Sequence, residues 1–284
     1  MPELPEVEVI RQGLLRRVVG SRIVSARIRA RRLTRRQGEP KELAESLAGR
    51  EVQALRRRGK WLLFNLHGNE TLLVHLGMTG QLLWARNWAS LEADRHVHAR
   101  LDFAGGGVLA YRDVRKFGQM FLLPTSDLEA QLGLGVEPLG HDFTLKAFQA
   151  ICQAPTRIKS LLLDQRRIAG IGNIYADEAL FRARIHPRRP AASLSRAEIA
   201  ALRRAIRVVL RAAIQRRGSS ISDYRDAEGE RGAFAPLHRV YGRTGQACRV
   251  CGQPVTRILV GQRGTHFCPH CQPEVPQRRR RSTL

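Results

Sequence analysis

Lysine is scarce in this chain: of 49 basic residues only Lys41, Lys60, Lys116, Lys146 and Lys159 are lysine. Where arginine serves almost everywhere else, a retained lysine is a candidate for chemistry that needs a compact ammonium rather than a planar, permanently charged fork. Acidic residues are also few, 25 in all, and the formal net charge is +24. Divided at residue 130, the balance is 22 − 14 = +8 before and 27 − 11 = +16 after. That excludes a neutral body with a single basic tail. A surface of this kind attracts polyanions, of which nucleic acid is the commonest; an arginine excess inherited from a GC-rich genome would leave the same composition. No apolar run reaches membrane-spanning length. The first twenty residues are amphipathic and open on Glu3, Glu6 and Glu8, unlike an export signal, so a cytoplasmic protein is expected. Five cysteines, four of them crowded between 248 and 271, read as metal binding in a reducing compartment rather than as a disulfide framework. No internal repeat is evident. A 43% hydrophobic fraction excludes global disorder, and 284 residues suffice for two domains.

Residues 5–19 carry an apolar stripe of Val7, Ile10, Leu14 and Val18, with Pro5 suited to a first helical turn and Gly20 to its end. From 22 to 123 the period is two. Val24, Ala26, Ile28 and Ala30 alternate with polar residues, and so do Val97, Ala99, Leu101 and Phe103. Shorter runs lie at 60–66, 71–76, 107–111 and 119–123, and no proline occurs between Pro40 and Pro124. Many short strands at this spacing predict a β-sandwich or barrel behind a leading helix. After Pro124 the pattern turns helical, at 144–152, 159–166 and 172–183. A capping box at Ser195 and Glu198 then opens a long amphipathic helix ending near Gly218. Residues 219–235 are polar and read as a flexible loop. The expected class is a two-domain α+β protein. Its expected parts are 1–130, 131–235, a cysteine-bearing unit over 236–273 and a basic tail over 274–284.

Cys248-x2-Cys251 and Cys268-x2-Cys271, separated by sixteen residues, have the spacing of a four-cysteine zinc site. Apolar runs at 255–260 and 265–267 around 261–264 make it a zinc-ribbon hairpin. Four thiolates leave no position for water, so one structural Zn2+ is expected. A catalytic zinc deaminase needs a His-x-Glu partner, and none occurs. Cys152 is left over as a small core residue. The other local signal is the start, Met1-Pro2-Glu3-Leu4-Pro5-Glu6. Removal of Met1 would expose Pro2 as a secondary amine, and an α-amino group titrates at about 7.7–8.0. Such an amine can attack an electrophilic sugar carbon, giving an iminium that stays cationic without a proton and acts as an electron sink. Glu3 is placed to act as an acid. An ordinary terminus with a helix-starting proline would look the same.

MPELPEVE, RRGKWLLF, HLGMTG, DVRKFG, GIGNIYADEALF, HPRR and the paired CxxC motifs occur in this order over residues 1–271. Together they resemble the formamidopyrimidine-DNA glycosylase family. The resemblance implies an N-terminal β-sandwich domain, a C-terminal helix–two-turns–helix domain and a zinc ribbon. It implies lesion-bearing double-stranded DNA as the partner, held in the cleft between the domains by a monomer. The implied activity is excision of 8-oxoguanine and ring-opened purines followed by β,δ-elimination. Pro2 is then the Schiff-base nucleophile, Glu3 the acid that opens the sugar, and Glu6 a residue orienting the site. Lys60 contacts a phosphate and assists β-elimination, and Arg263 does so for δ-elimination. Met78, Arg115 and Phe117 match the residues that fill the gap left by a flipped-out nucleotide; for Met78 and Phe117 core packing is the alternative. His96, Asn173, Lys159, Tyr241 and, more weakly, His75 are further DNA contacts. The 219–235 segment matches a lesion-capping loop. Val114 stands where the family often has proline, and the basic run at 278–281 extends past the usual end. A glycosylase for oxidised pyrimidines and a non-catalytic zinc-ribbon DNA-binding protein are the competing readings.

Overall fold

The computed structural model describes residues 1–89 and 91–274; the basic run at 278–281 lies outside them. The chain divides into two compact units, Met1–Glu137 with Leu210–Leu237, and Pro138–Val209 with the residues from His238 onward. The segment expected as a capping loop thus groups with the N-terminal residues rather than with the helices that precede it in sequence.

The first unit opens with α1 (Leu4–Val18), whose stripe of Val7, Ile10, Leu14 and Val18 is fully buried. Two four-stranded antiparallel sheets follow. One is ordered β1 (Ile23–Ile28), β6 (Val97–Phe103), β7 (Val108–Asp113), β5 (Gly80–Ala85); the other is β2 (Val52–Arg58), β3 (Trp61–Leu66), β4 (Glu70–His75), β8 (Gln119–Pro124). Their inner faces share one apolar cluster, with Leu62, Phe64, Leu72 and Met120 from the second sheet against Leu82, Leu101, Leu109 and Tyr111 from the first. This is the expected sandwich. Two short helices, α2 (Pro40–Leu47) and α3 (Leu128–Leu132), accompany the sheets, and α3 contributes Leu128 and Leu132 to a small cluster with Leu63, Leu73 and Phe121.

The alternation over 24–30 is out of phase with burial at its start. The pairing of β1 with β6 shifts between Ile23 and Ser25, so Ile23 is buried while Val24 is 54% exposed, and Ala26 and Ile28 pack against the core. One irregular residue moves a side chain to the other face of a sheet.

The segment expected to be a flexible loop is built into this unit. Tyr224 and Ala227 belong to the sandwich core. Trp84 donates its amide to the Ala227 carbonyl at 2.8 Å, and the Gln81 side chain donates to the Asp223 carbonyl. Buried Asp226 accepts the amides of Glu228 and Glu230 at 3.0 and 2.9 Å and pairs with Arg217. Part of the polarity here serves internal hydrogen bonding, at buried Ser219, Ser220 and Asp226, while Ser222, Asp223, Glu228 and Glu230 remain exposed.

The second unit contains α4 (Leu145–Cys152), α5 (Ile158–Leu163), α6 (Asn173–Arg182) and α7 (Arg196–Gln215), whose last turns are grouped with the first unit. The capping box of α7 is formed: Ser195 N donates to Glu198 Oε2 at 2.7 Å, and Glu198 N to Ser195 Oγ at 3.2 Å. Cys152 is fully buried, and burial pushes its thiol up to about 12. The unit closes with the hairpin β9 (Thr256–Val260) and β10 (Arg263–Phe267). No helix among the described residues is long and apolar enough to cross a membrane.

Leu14 and Leu15 are neighbours on α1 with 0% and 37% exposure. Leu14→Ala removes a packed core side chain and is expected to cost ~2–5 kcal/mol, whereas Leu15→Ala stays within ~0.5 kcal/mol. Denaturant unfolding of the two variants measures the difference, and equal losses would contradict the assigned face.

Candidate active site and metal centre

Pro2 and Glu3 lead directly into α1. Glu3 is its N-cap and forms a reciprocal capping box with Glu6. Pro2 and both glutamates are buried, while Met1 is 48% exposed. Glu6 Oε2 accepts the Glu3 amide at 2.9 Å and Oε1 accepts the Ser219 amide at 2.8 Å. The Tyr224 hydroxyl donates to the Glu6 carbonyl at 3.5 Å; burial raises this phenol, so it stays protonated. Gly218 sits at φ +81, and a Cβ there would stand 2.8 Å from Glu6 Oε1. The chain start is therefore fastened to a segment more than two hundred residues away.

Lys60 is buried to 8% exposure in the two-residue turn between β2 and β3. Gly59 supplies the positive φ, +56, at the first turn position, as a type II′ hairpin requires. Glu137 holds this turn from outside: it accepts the Gly59 amide at 2.5 Å and pairs with Arg57 at 2.8 Å and Arg58 at 3.3 Å. Arg57 also pairs with Glu8 on α1 at 3.1 Å. His75, paired with Trp61 across β3 and β4, packs on that indole with the rings tilted by 52° and 4.7 Å between centroids, and accepts the Gly77 amide on Nδ1 at 3.0 Å. Burial first, then the charges of Lys60 and Arg35, push its imidazole down to about 4, so it is neutral near pH 7.

Met78, Arg115 and Phe117 come from two loops that touch through backbone. Gly77 is at φ +60, and a Cβ on it would lie 2.6 Å from the Phe117 carbonyl carbon. Met78 is 40% exposed, which excludes core packing. Phe117 is half-buried, with the Arg115 guanidinium 4.9 Å and the Arg32 guanidinium 5.3 Å from its ring centroid. Lys116 between them takes the left-handed φ of +55. His96 immediately precedes β6, its amide capped by Asp94 at 2.8 Å and its carbonyl accepting the Asp113 amide at 2.9 Å.

In the second unit Arg263 is exposed at the tip of the β9–β10 hairpin, whose turn residues Gly261 and Gln262 both have positive φ. Lys159 is a correction to the sequence reading. Its ammonium is fully buried, 2.6 Å from Asp177 Oδ1, and donates to Thr265 Oγ1 at 2.7 Å and the Gly264 carbonyl at 3.1 Å. Exposing it to a phosphate would strand Asp177 as an unpaired buried charge. Lys159 instead anchors the hairpin strand that carries Arg263. Asn173, at the start of α6, joins it by donating to the same Gly264 carbonyl at 2.9 Å. Tyr241 is half-buried; its ring packs on His266 at 4.9 Å, and its amide is one of three, with those of Arg239 and Val240, accepted by buried Glu178.

The sulfurs of Cys248, Cys251, Cys268 and Cys271 all lie within 4.8 Å of one another. Cys248 and Cys271 are 3.9 Å apart and Cys251 and Cys268 3.4 Å. A tetrahedral zinc with bonds of about 2.3 Å has edges of about 3.8 Å.

Three family models cover this chain in order. "Formamidopyrimidine-DNA glycosylase N-terminal domain" matches residues 1–120, "Formamidopyrimidine-DNA glycosylase H2TH domain" residues 134–225, and "Zinc finger found in FPG and IleRS" residues 245–273. The chain belongs to the formamidopyrimidine-DNA glycosylase family. It is similar to the formamidopyrimidine-DNA glycosylase of Herpetosiphon aurantiacus, with 47% identity over 96% of this chain and all of the relative. Among solved structures it resembles the MutM (FPG) protein of Thermus thermophilus, with 43% identity and a TM-score of 0.85 over 97% of this chain and all of that one. It also resembles the Lactococcus lactis FPG (MutM) in complex with a Fapy-dG containing DNA, with 38% identity and a TM-score of 0.86 over 96% of this chain and all of that one. The four cysteines thus hold one structural zinc ion, in a family zinc finger whose thiolates complete the coordination.

Four acidic residues with evident structural work were not candidates from sequence: Asp113, Glu137, Asp177 and Glu178. Asp113 opens the DVRKFG segment, and Asp177 and Glu178 sit inside GIGNIYADEALF, but side-chain type alone gives no sign that each is buried among amides. Glu137 has no local signal.

Elemental analysis should find one zinc per chain, and Cys248→Ala should bring it near zero while the first unit stays folded. A full zinc complement in that variant would contradict the four-cysteine site. For His75 the folded state binds fewer protons than the unfolded one between about pH 4 and 6.5. Its contribution is therefore fully present above pH 6.5 and is lost as pH falls toward 4, at up to ~1.4 kcal/mol per unit. His75→Gln should flatten that part of a pH–stability curve; an unchanged curve would refute the burial argument.

Proposed function

We propose that this protein is a DNA glycosylase and AP lyase of base excision repair, acting on duplexes that carry oxidised purines such as 8-oxoguanine and formamidopyrimidines. The observation that carries the reading is the chain start: an exposed Met1 preceding a buried Pro2-Glu3 pair whose backbone is fixed by Glu6. Once Met1 is removed, the Pro2 nitrogen attacks C1′ of the damaged nucleotide while Glu3 protonates the sugar oxygen. The C1′–N bond to the base breaks and the base leaves with the proton lost from the amine; the protonated C1′–O4′ bond then opens, and the nitrogen lone pair gives an iminium between Pro2 and C1′. That cation acidifies the C2′ proton. Its removal expels the 3′ phosphate, and a second elimination expels the 5′ phosphate. Lys60 binds a phosphate beside the lesion and assists the first elimination, and Arg263 binds a phosphate and assists the second.

Met78, Arg115 and Phe117 fill the void left by the extruded nucleotide. The exposed methionine and the arginine-flanked ring supply the apolar wedge, and Arg115 the donor facing the orphan base. His75, neutral and donating from Nε2, His96, Asn173 and Tyr241 complete the contacts to DNA. Glu6 orients the terminus. The segment around 219–235 covers the lesion, fixed at its base by Ser219 and Tyr224. The division into 1–130, 131–235, 236–273 and 274–284, as segments of sequence rather than as the compact units, action as a monomer, and a place in the cytoplasm with the nucleoid belong to the same reading. The structure of the Lactococcus lactis relative with Fapy-dG containing DNA supports the choice of substrate.

Sodium borohydride added during turnover of an 8-oxoguanine duplex should reduce the iminium to a stable amine and leave DNA attached to the N-terminal peptide at Pro2. An adduct on Lys60, no adduct, or trapping only on duplexes with an oxidised pyrimidine would overturn the assignment.

A further inference from the structure

Asp113 is fully buried at the end of β7 and has no basic partner among the described ion pairs. Its carboxylate is solvated by hydrogen-bond donors from three segments. Oδ1 accepts the Thr79 hydroxyl at 2.5 Å and the Arg115 amide at 3.2 Å; Oδ2 accepts the Gly118 amide at 2.9 Å and the Tyr111 hydroxyl at 3.3 Å. Its own backbone is held too, the amide by the His96 carbonyl at 2.9 Å and the carbonyl by His98 Nε2 at 2.9 Å. Thr79 closes the circuit, since its hydroxyl oxygen accepts the Arg115 amide at 3.1 Å. Space around the circuit is tight: a Cβ on Gly118 would lie 1.5 Å from the Tyr111 hydroxyl oxygen, and one on Gly80 2.5 Å from it. Burial raises the Tyr111 phenol well above its usual value, with the Asp113 charge adding to it, so the phenol remains a donor.

The loops tied together in this way are the two that carry Met78, Arg115 and Phe117. We infer that Asp113 is the positioning residue that sets the void-filling side chains against one another, and that it must be a carboxylate. A carboxylate offers acceptors only, in the number that four converging donors need. Asparagine has the same shape but turns an NH2 group toward donors, leaving at least one of them buried and unpaired. Thr79 relays the constraint to the turn bearing Met78. This inference rests on the void-filling role proposed above.

The test separates the network from that role. Without DNA, hydrogen exchange at the Arg115 and Gly118 amides should accelerate in Asp113→Asn and in Thr79→Val. It should stay near wild type in Thr79→Ser, which keeps the hydroxyl. In single-turnover excision of 8-oxoguanine, Asp113→Asn and Thr79→Val should each be slower by on the order of tenfold to a hundredfold, as for a displaced positioning element, and Thr79→Ser should not. Because Asp113 acts through the loops of Met78, Arg115 and Phe117, the rate loss of the double variant Asp113→Asn/Phe117→Ala should be smaller than the product of the two single losses. Unchanged amide exchange in Asp113→Asn, a Thr79→Val that excises as fast as wild type, or rate losses that multiply in the double variant would each overturn the inference. If Asp113→Asn unfolds, the comparison of Thr79→Val with Thr79→Ser carries the test alone. A wild-type protein that releases no base would refute the proposed function, and the exchange result would still judge the network.

Discussion

The Glu6 carboxylate is the point on which the first unit depends. One oxygen binds the Glu3 amide and the other the Ser219 amide. A chain terminus normally frays, because nothing offsets the entropy of fixing it. Here the terminal residues are spliced into a helix start and then clamped to a distant segment. That segment is in turn seated by Tyr224 and Ala227 in the sandwich core. A nucleophile at the end of a chain requires such a clamp, since a reacting amine must be held to within a fraction of an ångström.

The same device recurs wherever a loop carries a candidate functional residue. Asp113 gathers amides and hydroxyls around the loops of Met78, Arg115 and Phe117. Glu178 gathers three successive amides at Tyr241, and Glu137 grips the turn of Lys60. Lys159 with Asp177 locks the strand of Arg263. In a chain with net charge +24, several of the scarce carboxylates, Glu6, Asp113, Asp177 and Glu178 among them, are thus buried as acceptors for backbone amides rather than spent on neutralising the surface. Buried carboxylates bonded to amides specify conformation through geometry, and removing one partner is costly because the other is left unsatisfied.

Features governed by local rules were legible in the sequence. The period-two run of β6, the capping box at Ser195 and Glu198, and the paired CxxC motifs each follow from neighbours a few residues apart. Non-local contacts decided the rest. The 219–235 segment looks like a loop because its order comes from Glu6, Gln81 and Trp84. Strand β2 is masked by its arginines, of which Arg57 and Arg58 turn out to be paired with Glu8, Glu129 and Glu137. The motifs located Lys159 within a functional stretch, but only the fold shows its ammonium turned inward onto Asp177. Pro2, Lys60 and Arg115 were legible as residues of a pattern; what holds each of them in place was not.

If the secondary amine of Pro2 does the chemistry, Met1 must be absent. Intact-mass measurement gives the fraction of molecules that begin at Pro2, and titration with a limiting-turnover lesion duplex gives the fraction able to form the covalent intermediate. The two fractions should coincide across preparations with different extents of Met1 removal, and protein retaining Met1 should form none. Covalent intermediate formed by protein that keeps Met1 would contradict the role of Pro2 as nucleophile.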